Sequence, residues 1–163
     1  MKVVIIDDES KARSLLHTII SEYCSEIEEI FQAENLLKGI EIIKREEISI
    51  VFLDIEMPQH SGLQLFEFLD INDITFEVIF TTAYSDYAIQ AFEFSAIDYL
   101  LKPLRPNKVK EAVEKAKKAL EQNQVQQRLT ELKKALSSEK FNKLALPVED
   151  GVLFAKLEDI FFL

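Results

Sequence analysis

Apolar runs and helix-like segments alternate along most of this chain. The runs are short and rich in β-branched and aromatic residues, which is typical of strands buried on both faces. The predicted strands cover Lys2–Ile6, Glu29–Ala33, Ile48–Leu53, Glu77–Thr82 and Ile97–Leu101. The segments between them have helical spacing, and they cover Glu9–Tyr23, Leu36–Ile43, Leu63–Leu69 and Asp86–Phe94. These repeats of strand and helix predict an α/β fold with parallel strands, right-handed crossovers and helices on both faces of the sheet.

A long helix is predicted after the fifth strand. Pro103 and Pro106 end that strand, and helical spacing runs from about Asn107 toward Leu136. Its two apolar sets are Val109, Val113, Ala116 and Leu120, then Val125, Leu129, Leu132 and Leu136. We expect the first set to pack on the sheet. The second set is offset by one residue, and it predicts a helical extension that pairs with a second copy of the chain.

The last residues return to a strand-like period. Asp150-Gly151 lies between the apolar stretches Leu144–Pro147 and Val152–Ala155, and an Asp-Gly pair in this setting predicts a β-hairpin. Another apolar run follows before the sequence stops. Apolar strands without a larger sheet are unusual in a complete protein. We therefore expect residues 143–163 to be the beginning of a longer β domain.

The charge of the chain changes sign along its length. Residues 1–105 hold 8 Lys and Arg against 20 Asp and Glu, a net charge of −12. Residues 106–143 hold 10 against 5, a net of +5, and residues 144–163 hold 1 against 4, a net of −3. Such shifts suggest three segments. With the patterns above, they predict a domain over residues 1–120, a basic helical linker over 121–142 and the β segment over 143–163.

Composition narrows the class of protein. The total charge of −10 argues against nucleic-acid binding by the chain as a whole. One cysteine, Cys24, excludes an internal disulfide and a cysteine-pair metal site. The first apolar run is too short for a signal peptide, and no run approaches membrane-spanning length. We expect a cytoplasmic protein without a membrane partner.

Polar residues stand where the predicted strands end. Asp7 and Asp8 follow the first strand, Asp54 the third and Lys102 the fifth, and Thr82 ends the fourth. Each is ordinary by itself, since an Asp after a strand commonly caps the next helix. However, the carboxyl ends of parallel strands share one edge of the sheet, and ligands bind outside that edge. Their succession therefore predicts one shared crevice.

The residue types in this crevice favour a metal ion and a phosphoryl group. Three carboxylates in one place repel one another unless a cation neutralises them. Oxygen ligands without histidine or cysteine favour Mg²⁺. Phosphoryl transfer depends on positioning and on neutralising charge, which a metal and Lys102 would supply.

Residues 1 to about 120 resemble the receiver domains of bacterial two-component response regulators. The matching motifs are Ile5–Glu9 (IIDDE), Leu53–Pro58 (LDIEMP) with Ser61–Leu63, Thr81–Tyr84 (TTAY) and Tyr99–Pro103 (YLLKP). The resemblance implies a flavodoxin-like sheet with the strand order 2-1-3-4-5. It also implies phosphoryl transfer from a phosphohistidine of a sensor histidine kinase, so the chain would catalyse its own modification and would not be an enzyme acting on a metabolite.

The resemblance assigns a role to most residues of the crevice. Asp54 would be the phosphoacceptor. Asp8, Asp54 and the backbone carbonyl of Glu56 would bind Mg²⁺ directly, with Asp7 acting through a water. Lys102 would pair with the phosphoryl group, and the Lys102–Pro103 peptide would be cis.

Two hydroxyl-bearing residues would carry the signal away from the crevice. Thr82 would bond the phosphoryl oxygen, and the ring of Tyr99 would then fill the space that Thr82 leaves. Together they would bias the face formed by the fourth helix, the fifth strand and the fifth helix, and favour a homodimer. From the sequence alone, an ordinary amphipathic strand residue is the favoured interpretation of Tyr99, and only the resemblance reverses that preference. Glu56 and Tyr84, two residues after Asp54 and Thr82, would tune the access of water.

Residues 143–163 resemble the opening of the LytTR DNA-binding domain, an all-β module that follows receivers of the LytR/AlgR type. The resemblance rests on Lys-Leu-Ala-Leu, Gly-Val and Leu-Glu-Asp-Ile-Phe-Phe-Leu. It covers only the start of that module, so we expect a fragment that reaches DNA solely through the part of the domain that is missing.

Three hypotheses remain open from the sequence. The first is a receiver of a LytTR-type transcriptional regulator. The second is a stand-alone receiver that acts through protein contacts, with an extra hairpin. The third is a haloacid-dehalogenase-like phosphatase, which also uses an aspartyl nucleophile and Mg²⁺; that class has a second Asp two residues after the nucleophile, where this chain has Glu56.

Overall fold

A computed structural model of the protein describes residues 1–84, 96–136, 143–148 and 151–156. The strands of these residues are β1 (Lys2–Ile6), β2 (Glu29–Ala33), β3 (Ile48–Asp54), β4 (Glu77–Thr82), β5 (Asp98–Leu101), β6 (Lys143–Val148) and β7 (Gly151–Lys156). The α-helices are α1 (Ser10–Tyr23), α2 (Leu36–Arg45) and α3 (Pro106–Leu136). The helix predicted over Asp86–Phe94 lies outside the described residues.

Strands β1 to β5 form one parallel sheet in the order β2-β1-β3-β4-β5. The α/β class and the strand order are thus confirmed. The interior strands β1, β3 and β4 are almost fully buried, as their continuous apolar runs predict. The edge strand β2 keeps exposed and half-buried residues.

Alternate residues of the central strands face two apolar layers, because successive side chains of a strand point to opposite sides. On one side, Val4, Ile6, Val51 and Leu53 pack with residues of α2. On the other side, Val3, Ile5, Ile50 and Phe52 pack with residues of α1 and α3. The first apolar set of the long helix belongs to this second layer, as predicted: Val109, Val113 and Ala116 are buried in it, and Leu120 packs against it.

The strand register brings the ends of the strands to one level. Ile6 pairs with Leu53, so Asp7 lies beside Asp54. Asp54 pairs with Thr81. On the far side of β4, Thr82 pairs with Leu101, directly before Lys102. The polar residues therefore meet at the carboxyl edge of the sheet.

The helix predicted over Leu63–Leu69 is wrong in type. The chain forms two 3₁₀ segments there, Gly62–Glu67 and Ile71–Asp73. A 3₁₀ turn eclipses residues three apart, and Gly62 and Leu65 are both buried on that spacing. Ser61 starts the first segment with a capping box that includes Gln64. Spacing of three occurs in both helix types, so the apolar pattern does not distinguish a 3₁₀ segment from an α-helix.

The chain divides into two compact units, Met1–Leu120 and Glu121–Leu163. In the second unit, β6 and β7 pair antiparallel from Lys143↔Lys156 to Val148↔Gly151, consistent with the predicted hairpin. Within the described part of the chain, no helix combines the length and the apolarity needed to cross a membrane.

Candidate functional site

Three carboxylates meet at the carboxyl edge of the sheet. One carboxylate oxygen from each of Asp7, Asp8 and Asp54 lies within 4.8 Å of the others. Asp7 and Asp54 are buried, and Asp8 is exposed. The sequence predicted this cluster from strand ends alone, and the structure brings all three residues together. Their oxygens form the kind of hard-ligand set that suits Mg²⁺.

Lys102 brings one positive charge into the cluster. Its Nζ atom lies 2.7 Å from Oδ2 of Asp7 and 3.5 Å from Oδ2 of Asp54. Burial lowers the pKa of Lys102, but the hydrogen bond to Asp7 and the negative charges of Asp54 and Asp7 outweigh it, so the pKa is raised overall. Lys102 therefore stays charged at neutral pH, as a partner for anionic oxygens requires.

The pKa of Asp54 is strongly perturbed by its surroundings. Burial, followed by the negative charge of Asp7, raises the pKa of Asp54 from 3.8 to about 7, although the charge of Lys102 opposes this shift. One ammonium thus leaves the negative charge of the three carboxylates only partly compensated. A divalent cation bound beside the three carboxylates would supply the positive charge that Lys102 alone does not provide.

Asp7 is held on all its polar groups. Its N–H donates to the carbonyl of Ala33 over 3.1 Å. Its Oδ1 accepts from the N–H of Glu9 over 2.9 Å, and its Oδ2 accepts from Lys102. Its carbonyl oxygen accepts a hydrogen bond of 2.6 Å from Nη1 of Arg13. Arg13 was not among the residues that the sequence singled out, because a bond from a side chain to a distant carbonyl leaves no pattern in a sequence.

Gly62 is a second contact that the sequence did not reveal. The loop after β3 turns back at Gln59, which has a positive φ of 70°, and the N–H of Gly62 donates to the carbonyl of Ile55 over 2.9 Å. A Cβ atom at Gly62 would overlap the carbonyl oxygen of Asp54 and lie 3.1 Å from its carbonyl carbon. Only glycine allows the loop to close this tightly against Asp54.

A hydrogen-bonded chain links Thr82 to Tyr99. The N–H of Tyr84 donates to Oγ1 of Thr82 over 3.3 Å. The hydroxyl of Tyr99 donates to the backbone carbonyl of Tyr84, and Tyr99 packs against the apolar layer that includes Phe80. Thr82 is fully buried. Thr82, Tyr84 and Tyr99, three of the four residues assigned to switching and tuning, are therefore physically connected.

The remaining predicted residues lie around the cluster. Glu56 is exposed in the loop that follows β3, and its role as a carbonyl ligand stays a prediction. Pro103 directly follows Lys102, and the Lys102–Pro103 peptide is cis, as the resemblance implied.

Comparison with known proteins assigns the family. The sequence profile of the response regulator receiver domain matches residues 3–114. This chain belongs to that family. It is a receiver of a two-component system, and the match covers the sheet from Val3 of β1 onward, together with the strand-end cluster.

Two relatives match different shares of the chain. An "Uncharacterized response regulatory protein" of Vibrio cholerae is 43% identical over 115 residues, 71% of this chain and 48% of the relative. "Sensory transduction protein LytT" of Bacillus anthracis is 34% identical over 162 residues, 99% of this chain and 65% of LytT. The chain spans about half the length of the Vibrio relative. The LytT match continues through the linker and the β segment.

A solved structure provides a comparison for the fold. Response regulator protein TrrA of Thermotoga maritima, solved in complex with Mg²⁺ and BeF, is 30% identical and superimposes with a TM-score of 0.62. The superposition covers 71% of this chain and 97% of that protein. The Mg²⁺ and the beryllofluoride belong to TrrA.

Proposed function

We propose that Asp54 is the phosphoacceptor of this receiver and that the donor is a phosphohistidine of a sensor histidine kinase. The observation that carries the proposal is the setting of Asp54. It is buried, its carboxylate lies with those of Asp7 and Asp8, and Lys102 stands 3.5 Å away. Aspartyl-phosphate chemistry needs a carboxylate nucleophile with positive charge beside it.

The donor set of the cluster fits Mg²⁺, and each ligand has a proposed role. Asp8, Asp54 and the backbone carbonyl of Glu56 would bind the ion directly. Asp7 would act through a water, because both of its carboxylate oxygens already accept hydrogen bonds from the protein. When bound, Mg²⁺ supplies positive charge against the oxygens of the transferring group.

The side chains of the receiver do the rest of the reaction. A carboxylate oxygen of Asp54 forms a bond to phosphorus while the bond from phosphorus to the imidazole nitrogen of the donor breaks. The imidazole nitrogen leaves with the electron pair of the broken bond, and a proton from solvent restores the neutral histidine. Lys102 then balances an oxygen of the phosphoryl group, and the hydroxyl of Thr82 donates a hydrogen bond to another.

We propose Thr82 and Tyr99 as the switch that reads this change. Both contact the backbone at Tyr84, so a shift of Thr82 toward the phosphoryl group alters a carbonyl that holds the Tyr99 ring. Tyr99 lies on β5, which also carries the half-exposed Leu101, and beside a groove of about 480 Å³ along β5 and α3. We propose that this face, together with the helix predicted from the sequence over Asp86–Phe94, changes on phosphorylation and favours a homodimer.

The output that we propose is a LytTR-type DNA-binding domain. The support is the match to LytT over almost the whole chain, including residues 143–163, and the antiparallel pairing of β6 and β7. DNA would be reached only through the rest of that domain. In the second unit the half-exposed Val125 and Leu132 lie on α3, and we propose that they contribute to dimer contacts. The proposed place of action is the cytoplasm.

The experiment is incubation with acetyl phosphate and Mg²⁺, followed by intact mass measurement. Wild type should gain one phosphoryl group, and Asp54→Asn should gain none. Asp73→Asn is the matched control, because Asp73 is an exposed carboxylate on the second 3₁₀ segment, and it should behave as wild type. Phosphorylation of Asp54→Asn to the same extent would refute the assignment.

A longer reading frame decides between the two outputs that the sequence left open. If the full-length protein continues past Leu163 into more β strands and binds DNA when phosphorylated, the transcriptional output holds. A full-length protein that ends near Leu163 would favour the stand-alone receiver.

A further inference from the structure

Arg13 links α1 to the backbone of the acidic cluster. Its Nη1 atom donates to the carbonyl oxygen of Asp7 over 2.6 Å. Arg13 lies in the first turns of α1, whereas Asp7 is where the chain leaves β1. Arginine is always charged, and hydrogen bonds from a charged donor are shorter and roughly twice as strong as neutral ones. This bond therefore fastens the turn that carries Asp7 and Asp8.

The bond from Arg13 completes the restraint of Asp7. The backbone N–H and both carboxylate oxygens have their own partners, Ala33, Glu9 and Lys102. Without Arg13, the peptide between Asp7 and Asp8 would lose a short side-chain hydrogen bond from a charged donor. Asp8 is exposed, so the direction of its carboxylate depends on that peptide.

We propose that Arg13 is a positioning residue for the cation site. By holding the carbonyl of Asp7, it fixes the peptide that aims the carboxylate of Asp8 toward Asp54. The proposal rests on the proposed function, because it concerns the Mg²⁺ that phosphoryl transfer to Asp54 would require.

Charge and geometry make opposite predictions for Arg13. As a positive charge near three carboxylates, Arg13 repels a bound cation, so its removal on electrostatic grounds would strengthen Mg²⁺ binding. As a restraint on the turn, it preorganises the ligands, so its removal would weaken binding. Groups that orient metal ligands typically contribute 10- to 100-fold in affinity. We therefore expect the geometric effect to dominate.

The test is calorimetric titration of Mg²⁺ into the metal-free full chain. We expect Arg13→Ala to bind Mg²⁺ about tenfold more weakly than wild type, and Arg13→Lys to be weakened by a smaller factor. Lys11→Ala is the matched control, since Lys11 is an exposed cation in the same turn of α1, and its affinity should equal that of wild type. Circular dichroism verifies that each variant is folded.

The outcomes separate this inference from the proposed function. Wild type that binds no Mg²⁺ would refute the proposed metal site and the role of Arg13 with it. Wild-type binding together with an unchanged or tighter Arg13→Ala would overturn the positioning role alone. If Arg13→Ala does not fold, the Arg13→Lys variant tests the proposal, because lysine keeps the positive charge and loses the planar guanidinium. Weaker Mg²⁺ binding by Arg13→Lys supports the positioning role, and unchanged Mg²⁺ binding overturns it.

Discussion

Replacing Asp54 by asparagine should stabilise the metal-free protein, and by more at high pH. The side chain of Asp54 is only 6% exposed, and burial with the nearby charge of Asp7 raises its pKa from 3.8 to about 7. Asparagine has almost the same shape and no charge. The variant therefore removes the cost of ionising a buried carboxylate while keeping the packing.

The sign follows from the direction of the pKa shift. Below pH 3.8 the carboxyl is protonated in both the folded and the unfolded chain, so it adds no cost. Between 3.8 and about 7 the unfolded chain ionises while the folded protein does not, and the free energy of unfolding of wild type falls as pH rises. Above about 7 the loss is complete. A pKa that rises from 3.8 to about 7 corresponds to a loss of at most about 4 kcal/mol in the free energy of unfolding.

The assay is urea unfolding followed by circular dichroism at pH 5 and pH 8, in chelator. From the same pKa values, the stability advantage of Asp54→Asn over wild type should grow by about 2 to 3 kcal/mol between these two pH values. Saturating Mg²⁺ at pH 8 should then stabilise wild type and leave Asp54→Asn nearly unchanged. Asp73→Asn controls for removing a carboxylate from the surface.

Two results would refute the reasoning. The first is a difference in the free energy of unfolding between Asp54→Asn and wild type that does not depend on pH. This result would mean that the pKa of Asp54 is not raised in the folded protein. The second is equal stabilisation of both proteins by Mg²⁺, which would place the bound ion away from Asp54.

Three further substitutions test other contacts of the site. Gly62→Ala should lower the free energy of unfolding by about 1 to 3 kcal/mol and weaken Mg²⁺ binding, because its Cβ would press on the carbonyl of Asp54. Gly39→Ala is the control, because the atoms nearest to its Cβ would belong to the side chain of Ile6 and not to backbone. It should lower stability while the Mg²⁺ affinity in the same titration stays unchanged. Lys102→Met should slow phosphorylation from acetyl phosphate by at least about tenfold while Asp73→Asn keeps the wild-type rate in the same mass assay. Tyr99→Phe, which loses the hydrogen bond from its hydroxyl to the carbonyl of Tyr84, should be phosphorylated at the wild-type rate. In sedimentation it should lose the shift toward dimer that we expect beryllofluoride to produce in wild type, and a full shift would argue against Tyr99 as a switch residue.

The sequence predicted the sheet well because its evidence is local. A strand buried on both faces is a continuous apolar run, so β1, β3 and β4 could be read directly, and the residue after each run could be placed at the sheet edge. The same argument predicts from the sequence that Asp7, Asp54 and Lys102 lie together.

The parts that the sequence missed depend on tertiary contacts. Leu63–Leu69 has spacing that suits an α-helix or a 3₁₀ helix equally, and the close approach of Gly62 to Asp54 selects the tighter form of turn. The bond between Arg13 and the carbonyl of Asp7 joins a side chain to a backbone atom, which has no residue-type signature. Strand order came from resemblance, because apolar runs do not state which strand lies next to which.

The most direct test of the account is to locate the phosphoryl group after reaction with acetyl phosphate and Mg²⁺. Reduction with borohydride converts an aspartyl phosphate to homoserine, and peptide mass spectrometry then identifies the modified position. The account predicts homoserine at residue 54 and at no other carboxylate, and none when Mg²⁺ is removed by chelator. Homoserine at Asp7 or Asp8, or an unmodified residue 54 in a phosphorylated protein, would contradict it.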